Sequence, residues 1–271
     1  MRVLAAFTSL RPFLTLSELA RATTMTPSTL HRLLSDLERE GLVERMPDRT
    51  YRLGLRLWEL AAHSPGAPGL REVARSWLAA AHTRIGQHTQ LGVLAGTDVL
   101  FIDRLSHPDG VVNTVLIGGR VPLHASSSGL VLLAHAPRAT LDDVVAAGLR
   151  AFTPHTIRTR EQLEAALQRA RTDGYAVSDG HIYEESRGIA VPVRGPDSSV
   201  YAALGAVVPN DATSPLPVIE ILAIAAKGIE RGLREAYSAN PSTPERQPLP
   251  GVSARSWDYM TQLRYRERLG G

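Results

Sequence analysis

The 271-residue chain contains no cysteine, which excludes disulfides, thiolate metal ligands and cysteine nucleophiles. It has a single lysine, Lys227, among 30 basic residues, and only 5% of its residues are aromatic. It also contains no secretory signal pattern and no apolar run long enough to span a bilayer. We therefore expect a cytoplasmic protein that has no membrane partner.

Residues 15–53 have the pattern of a winged helix-turn-helix. Thr15 and the glutamate three positions later form a capping box that opens a first short helix. Thr26 as N-cap and Pro27 at the first helical position open a longer helix, which Gly41 ends. The stretch LVERMPDRTYRL then predicts a basic hairpin around a Pro-Asp-Arg turn. This order of elements favours a DNA-binding domain more strongly than hydrophobic spacing alone would.

The second helix combines a leucine stripe with an opposite polar face that suits the major groove of DNA. Hydroxyl groups there reach phosphates or base edges, and Arg32 near the helix start can form a forked pair with guanine. Residues 1–64 hold nine arginines and seven acids, so the positive charge must be concentrated on one side. The alternative is a helical subdomain with a solvated polar face. The residues predicted to contact DNA are Thr15, Thr26, Ser28, Thr29, His31, Arg32, Arg49 and Arg52.

Beyond residue 69 the chain alternates runs of strands with single helices. A Pro-Gly-Ala-Pro-Gly break precedes a predicted helix at 70–85, and TQLGVLAG, DVLFIDRL and VVNTVLI have the composition of strands. VPLHASSSGLVLLAHA changes from strand to helix, and 161–173 is helical. GYAVS, GIAVPV and VYAALGAVV predict further strands before a closing amphipathic helix at 216–237. This order favours an antiparallel α+β domain over a doubly wound sheet.

The turn at residues 124–129, His-Ala-Ser-Ser-Ser-Gly, is a candidate ligand site on physical grounds. Amides without helical partners and the positive end of the helix dipole meet where a strand passes into a helix, and the serine hydroxyls add donors. The location therefore favours a carboxylate. The alternative is that the serines only cap the helix.

Several motifs in this chain resemble, in order and spacing, those of IclR-type bacterial transcription regulators: LTLSELARAT, STLHRLLSDLEREGLVER, YRLGLRLWEL, RVPLHASSSG, FTPHTIRT, and DGYAVSDG followed by GIAVPV. The resemblance implies an N-terminal winged helix-turn-helix that binds operator DNA as a dimer. It also implies a C-terminal GAF-like domain that binds a small metabolite and modulates DNA binding. Members of the family repress or activate, as homodimers or as dimers of dimers.

The resemblance further implies an effector pocket around the serine turn. Gly188 stands where relatives often have cysteine, and Gly205 and Val207 stand where they often have serines. Because these changes remove polar atoms and volume, we expect a roomy apolar pocket with one anion-binding end. Such a pocket suits an organic acid with a hydrophobic body, such as an aromatic or branched-chain catabolite. The residues implied to bind the effector are Asn113, Ser126, Ser127, Ser128, Gly129, Asp179, Gly188, Ile189, Gly205 and Val207.

The predicted fold class is α+β, with an N-terminal winged helix-turn-helix and a C-terminal GAF-like antiparallel-sheet sensor domain. We place the DNA-binding domain at 1–56, a linker helix and hinge at 57–69, and the effector-binding domain at 70–238. A Pro-rich, flexible tail with a short amphipathic segment occupies 239–271. The tail has three open roles: to dock on a neighbouring subunit, to touch DNA, or to stay disordered.

The expected function is transcriptional regulation through operator DNA binding that a small organic acid modulates, with no cofactor, metal ion or catalytic residue. The two rival hypotheses are an enzyme built on the GAF-like domain and an effector-independent architectural DNA binder. The enzyme hypothesis lacks support because the serine turn is not the G-x-S-x-G turn of serine hydrolases. His181, Glu184 and Glu185 have the ligand types of a metal site, but a solvated loop is the preferred interpretation.

Overall fold

The structure of the chain, a computed structural model, describes residues 1–62 and 67–238. The predicted tail at 239–271 and the hinge residues 63–66 lie outside the described residues. The described residues form two compact units. The first begins at Met1 and includes Leu116–Gly119, and the second comprises Gly69–Val115 and the chain from Arg120 onwards. The domain boundaries drawn from the sequence remain predictions.

The first unit is a small helical domain with a short sheet. Its elements, in chain order, are α1 (Arg2–Ala5), β1 (Leu14–Thr15), α2 (Leu16–Thr23), α3 (Pro27–Arg39), β2 (Val43–Arg45), β3 (Thr50–Leu53) and α4 (Leu55–Ala62). The strands form an antiparallel sheet in the order β1-β3-β2. The predicted winged helix-turn-helix is confirmed.

Local capping explains where the two central helices of this unit begin. The Thr15 hydroxyl accepts a hydrogen bond from the Glu18 amide, and the Glu18 carboxylate accepts one from the Thr15 amide, as the predicted capping box requires. The Thr26 hydroxyl accepts one from the Thr29 amide, with Pro27 at the first helical position. The core of the unit consists of Val3, Phe7, Leu14, Leu19, Leu30, Leu34, Val43 and Tyr51.

The second unit is built on one antiparallel sheet. Its elements are α5 (Ala67–Ile85), β4 (His88–Ala95), β5 (Asp98–Leu105), β6 (Arg120–Pro122), a 3-10 turn (Leu123–Ala125), α6 (Ser127–Ala134), α7 (Arg138–Ala147), α8 (Arg160–Asp173), β7 (Ala176–Asp179), β8 (Ser186–Arg194), β9 (Val200–Pro209) and α9 (Leu216–Ser238). The strand order is β6-β5-β4-β9-β8-β7, and each neighbouring pair is antiparallel. The predicted α+β fold class is confirmed. Among the described helices, none is both long and apolar enough to cross a membrane.

The sheet of the second unit separates two apolar layers, because successive side chains of a strand point to opposite faces. Leu91, Val191 and Leu204 lie on the face that packs against α5 and α9. Ala190 and Ala203 lie on the other face, whose core includes residues of α6, α7 and α8. All residues of α6 are buried. The serine turn at the start of α6 is therefore an interior part of this unit.

Two local predictions differ from the structure. VVNTVLI was expected to be a strand, but residues 111–116 between β5 and β6 have no regular structure. Side-chain hydrogen bonds from the sheet hold this segment in place of a ladder of backbone bonds. Helix α7 has no predicted counterpart, because its start at Pro137 lacks the side-chain cap that marks other helices of the chain.

Candidate functional site

Helix α3 presents a polar surface to solvent. Its exposed residues include Ser28, Thr29, His31, Arg32 and Ser35, which we call the α3 face. The helix begins at a capped N-terminus, where the dipole and free amides favour phosphate oxygens. Hydroxyl and guanidinium groups near such a helix start can contact the backbone and the base edges of a DNA groove. The structure thus brings together the four α3 residues predicted to contact DNA.

The other residues predicted to contact DNA differ in whether their polar groups already have partners within the protein. Arg49 is exposed in the hairpin turn, with a φ of 67°. Arg52 Nη2 lies 2.6 Å from a carboxylate oxygen of Glu44, so its charge is matched within the hairpin. The Thr15 and Thr26 hydroxyls cap helices. Arg49 and the α3 face are therefore the stronger candidates.

Two rows of residues cross the sheet of the second unit on the face that packs against α6. One row runs from β5 through β4 to β9, and the other runs from β4 through β9 and β8 to β7. Directly paired residues of neighbouring strands share a face. The first row is Arg104, Gln90 and Gly205, and the second is His88, Val207, Gly188 and Ser178; we call these residues the sensor face.

The serine turn contacts the sensor face from the α6 side. The Ser126 hydroxyl accepts a hydrogen bond from the Gly129 amide at 3.1 Å and so caps α6, and the Ser178 hydroxyl accepts one from the Ser127 amide at 3.2 Å. Ser128 is fully buried, and its hydroxyl has no hydrogen-bond partner within the described ranges. Two amides of the first helical turn are thus already bonded to protein hydroxyls.

The glycines of the sensor face make room for these serines. A β-carbon at Gly188 would lie 2.6 Å from the hydroxyl oxygen of Ser178 and 2.9 Å from that of Ser127. A β-carbon at Gly205 would lie 3.0 Å from the hydroxyl oxygen of Ser128. The expectation that both glycines enlarge the pocket is therefore corrected: serine hydroxyls occupy the volume that the missing side chains leave.

Two residues that the resemblance assigned to the effector lie off the sensor face. The Ile189 side chain is fully buried in the core that includes α5 and α9, on the opposite side of the sheet. Asp179 is exposed and forms an ion pair with Arg187. Because strand residues alternate between faces, Ser178 rather than its neighbour Asp179 reaches the site. The side chains of Asp179 and Ile189 do not line this face.

Sensor-face side chains hold the irregular segment that follows β5. The Arg104 guanidinium donates to the carbonyl oxygens of Val115 and Asn113. The Asn113 side-chain amide donates to Gln90 Oε1 at 3.3 Å, and Gln90 is itself buried. Asn113, which the resemblance assigned to the effector, therefore lies beside the first row of the sensor face.

His88 anchors the same segment as an uncharged ring. Its Nε2 atom donates to the Val111 carbonyl oxygen at 2.7 Å, since a carbonyl only accepts, and its Nδ1 atom accepts from the His107 amide at 3.3 Å. Both bonds require the neutral ring, and burial lowers the pKa of His88 accordingly. Arg104 is therefore the charged member of the sensor face.

Sequence reasoning did not identify His88, Gln90, Arg104 or Ser178 as site residues. A signal was available for the first three, because each is a polar residue within a strand that is otherwise largely apolar. Ser178 was missed by one position. Only the pairing of β7 with β8 shows which side chains of that strand point towards α6.

The residues considered as a metal site do not converge. No group of three or more histidine, aspartate or glutamate side chains in the described part of the chain could hold a metal ion. Glu184 and Glu185 are exposed. His181 is half-buried; its Nδ1 atom has no hydrogen-bond partner among the described residues, and burial lowers its pKa.

Two protein families match the chain. Residues 1–47 match the IclR helix-turn-helix domain, and residues 66–216 match the family described as bacterial transcriptional regulator IclR C-terminal. The chain is 32% identical over 206 residues to the HTH-type transcriptional regulator XynR of Escherichia coli. The aligned region covers 75% of this chain and 82% of XynR. It is 33% identical over 198 residues to the probable transcriptional regulator SauR of Cupriavidus necator. That aligned region covers 72% of this chain and 79% of SauR.

A solved structure is similar in both sequence and fold. It is the crystal structure of an IclR homolog complexed with 4-hydroxybenzoate from Microbacterium hydrocarbonoxydans. That protein is 41% identical to this chain, with a TM-score of 0.82, and the match covers 86% of this chain and 97% of the other.

Proposed function

Because the chain belongs to the IclR family of bacterial transcription regulators, we propose that it controls transcription by binding operator DNA through the α3 face, and that an aromatic acid at the sensor face changes that binding. The observation that carries the proposal is the α3 face itself. It places exposed hydroxyls and an arginine at the start of a capped helix, where they suit the major groove.

Two observations support an aromatic acid as the effector of this chain. The relative from Microbacterium hydrocarbonoxydans, at 41% identity, is complexed with 4-hydroxybenzoate. On the sensor face, Gly205 pairs with Gln90, which in turn pairs with Arg104, and the half-buried apolar residue Val207 lies two positions from Gly205 on the same side of the sheet. An aromatic ring gains about 25 cal/mol for each Å² of apolar surface that it buries there. Its carboxylate needs polar or charged partners in the same place.

We expect 4-hydroxybenzoate to stabilise the full chain, and glyoxylate and pyruvate to do so much less. At a concentration of 100 times the Kd, a ligand adds about 2.7 kcal/mol to the free energy of unfolding. For a domain of this size, that is a rise in Tm of roughly 5–10 °C. A thermal-shift titration with the three acids tests this expectation. Stabilisation by the two- and three-carbon acids alone would contradict the aromatic class.

DNA binding is tested with duplexes that the full chain selects from a random pool. We expect fluorescence anisotropy to show tight, sequence-dependent binding and a several-fold change in affinity on addition of 4-hydroxybenzoate. Binding that is insensitive to every acid tested would favour an architectural protein. Chemical conversion of an added acid would favour an enzyme.

An apolar surface on α4 supports a homodimer, alone or as part of a dimer of dimers. Leu55 and Trp58, one helical turn apart, are 66% and 69% exposed. Large apolar side chains that remain exposed next to each other are typical of interaction surfaces. We propose that α4 contributes to the contact between two copies, so that two α3 faces read a near-palindromic operator.

We expect the double variant Leu55→Ser/Trp58→Ser to weaken dimerisation by about 100-fold or more, because fully burying each such side chain contributes about 1.5–3 kcal/mol. Sedimentation velocity over a concentration series measures the effect. The control is Arg56→Ser, which changes an exposed residue of the same helix that pairs with Glu59. A double variant that dimerises as tightly as the control would remove α4 from the interface.

A further inference from the structure

Arg104 is a half-buried cation on the sensor face, and none of the described residues is an acidic partner for its guanidinium. Its hydrogen bonds go to the neutral carbonyl groups of Val115 and Asn113. Its Nε atom is buried and has no hydrogen-bond partner among the residues that the structure describes. Burial lowers the pKa of Arg104. Within the described part of the chain, a positive charge is thus held partly out of water without a compensating acid.

The acid next to Arg104 in the chain does not compensate this charge. Alternation along β5 places Asp103 on the opposite face, where it is buried and its Oδ2 atom lies 3.2 Å from Arg71 Nε on α5. On the neighbouring strand β6, by contrast, Arg120 lies 3.6 Å from Asp98. Arg71 and Arg120 thus each have a carboxylate partner, whereas none of the described residues provides one for the Arg104 guanidinium.

The guanidinium of Arg104 still has donors to offer. Each terminal nitrogen carries two hydrogens, and each makes one hydrogen bond to a backbone carbonyl. Among the described residues, one N–H on each terminal nitrogen is therefore left without an acceptor, and carboxylate oxygens accept strongly from such guanidinium N–H groups. A partly desolvated cation gains more from this contact than an exposed one, because surrounding water screens it less.

The start of α6 cannot by itself balance a full negative charge. The Ser127 amide donates to the Ser178 hydroxyl, and the Gly129 amide donates to the Ser126 hydroxyl. These two backbone amides of the first helical turn are therefore already hydrogen-bonded within the protein. A buried carboxylate requires a compensating charge as well as hydrogen bonds.

We propose that Arg104 supplies the positive charge that recognises the carboxylate of the effector, so that the sensor face selects acids over uncharged analogues of the same shape. This inference rests on the proposed function, because it takes the sensor face to be the effector site. Gln90, opposite Arg104 on β4, holds Asn113 and thereby the segment whose carbonyl groups orient the guanidinium. The acid then meets a cation that is already positioned.

The test compares 4-hydroxybenzoate with 4-hydroxybenzamide, which has nearly the same shape and no charge. Both are titrated calorimetrically into the full chain and into Arg104→Gln. We expect the variant to bind the acid about 10- to 100-fold more weakly, as the loss of a charged hydrogen-bond pair implies, and to bind the amide within about threefold of the parent. The ratio of the affinities for acid and amide should therefore fall strongly in Arg104→Gln. Arg104→Lys, which keeps the positive charge, should retain part of the preference for the acid.

The control is Arg120→Gln, which removes an arginine of the neighbouring strand that already has an acidic partner and should leave both affinities unchanged. Equal weakening of acid and amide in Arg104→Gln would show that Arg104 only holds the 111–116 segment, and would overturn the inference. An unchanged acid affinity would overturn it as well. If the parent chain binds neither compound, the proposed effector class fails, and the inference fails with it.

Discussion

Replacing Arg32 with alanine should weaken binding to the selected operator by about 2–6 kcal/mol for a dimer, which is roughly 30-fold or more. A good bidentate contact between arginine and guanine contributes about 1–3 kcal/mol of discrimination, and both half-sites lose it. Arg32 is exposed on α3 close to the capped helix start. The loss should be concentrated at one base pair in each half-site, which binding to single-base operator variants would show.

A charge-matched control variant distinguishes a specific contact of Arg32 with a base from non-specific attraction between the domain and the DNA phosphates. Arg39 lies in the last turn of the same helix and pairs with Asp36 at 2.9 Å. Arg39→Ala removes the same charge from the domain but no contact near the helix start, so we expect a much smaller loss. Equal losses for the two variants, spread over all operator positions, would indicate only non-specific attraction to phosphates.

Replacing Gly129 with alanine should destabilise the second unit by roughly 3 kcal/mol, the upper end of the usual cost of overpacking. Helix propensity alone predicts the opposite sign, since alanine is favoured over glycine by about 1 kcal/mol inside a helix. Packing outweighs propensity here, because a β-carbon at Gly129 would lie 2.1 Å from the Leu123 carbonyl oxygen, a backbone atom. We expect the Tm of this unit to fall by about 6–12 °C in calorimetry.

The neighbouring variant Ser128→Ala is the control for this change. It removes a fully buried hydroxyl that has no hydrogen-bond partner among the described residues, and it adds no atoms. We expect the free energy of unfolding to stay the same or to rise slightly, because an unsatisfied buried polar group is lost. A Gly129→Ala protein as stable as Ser128→Ala would show that the backbone before α6 relaxes easily.

The first unit was predicted closely from the sequence because its signals are local. Capping by Thr15 and Thr26 operates over three residues, and the leucine spacing of α3 selects the buried side of that helix. The exposed polar residues of α3 then follow directly. The reduced availability of Arg52 was not predictable, because its partner Glu44 lies on a different strand.

The candidate ligand site of the second unit was predicted only in part. The serine turn and the glycines were identified, whereas Gln90, Arg104 and Ser178 were not. An alternating strand indicates that two faces exist, but it does not show which face meets α6. The roles of Gly188 and Gly205 were also misjudged, because the space beside a glycine depends on which atoms pack there.

The sequence by itself determined the winged helix-turn-helix, the α+β class and the position of the serine turn, since capping, periodicity and turn chemistry act within a few residues of the chain. Only the tertiary structure decided which polar residues share the sensor face, and that Arg104 has no carboxylate partner among the described residues. Arg104, Gln90 and Gly205 come together through strand pairing between distant segments. Asp103 and Arg104 are adjacent in the chain, and the pleat of β5 places them on opposite faces.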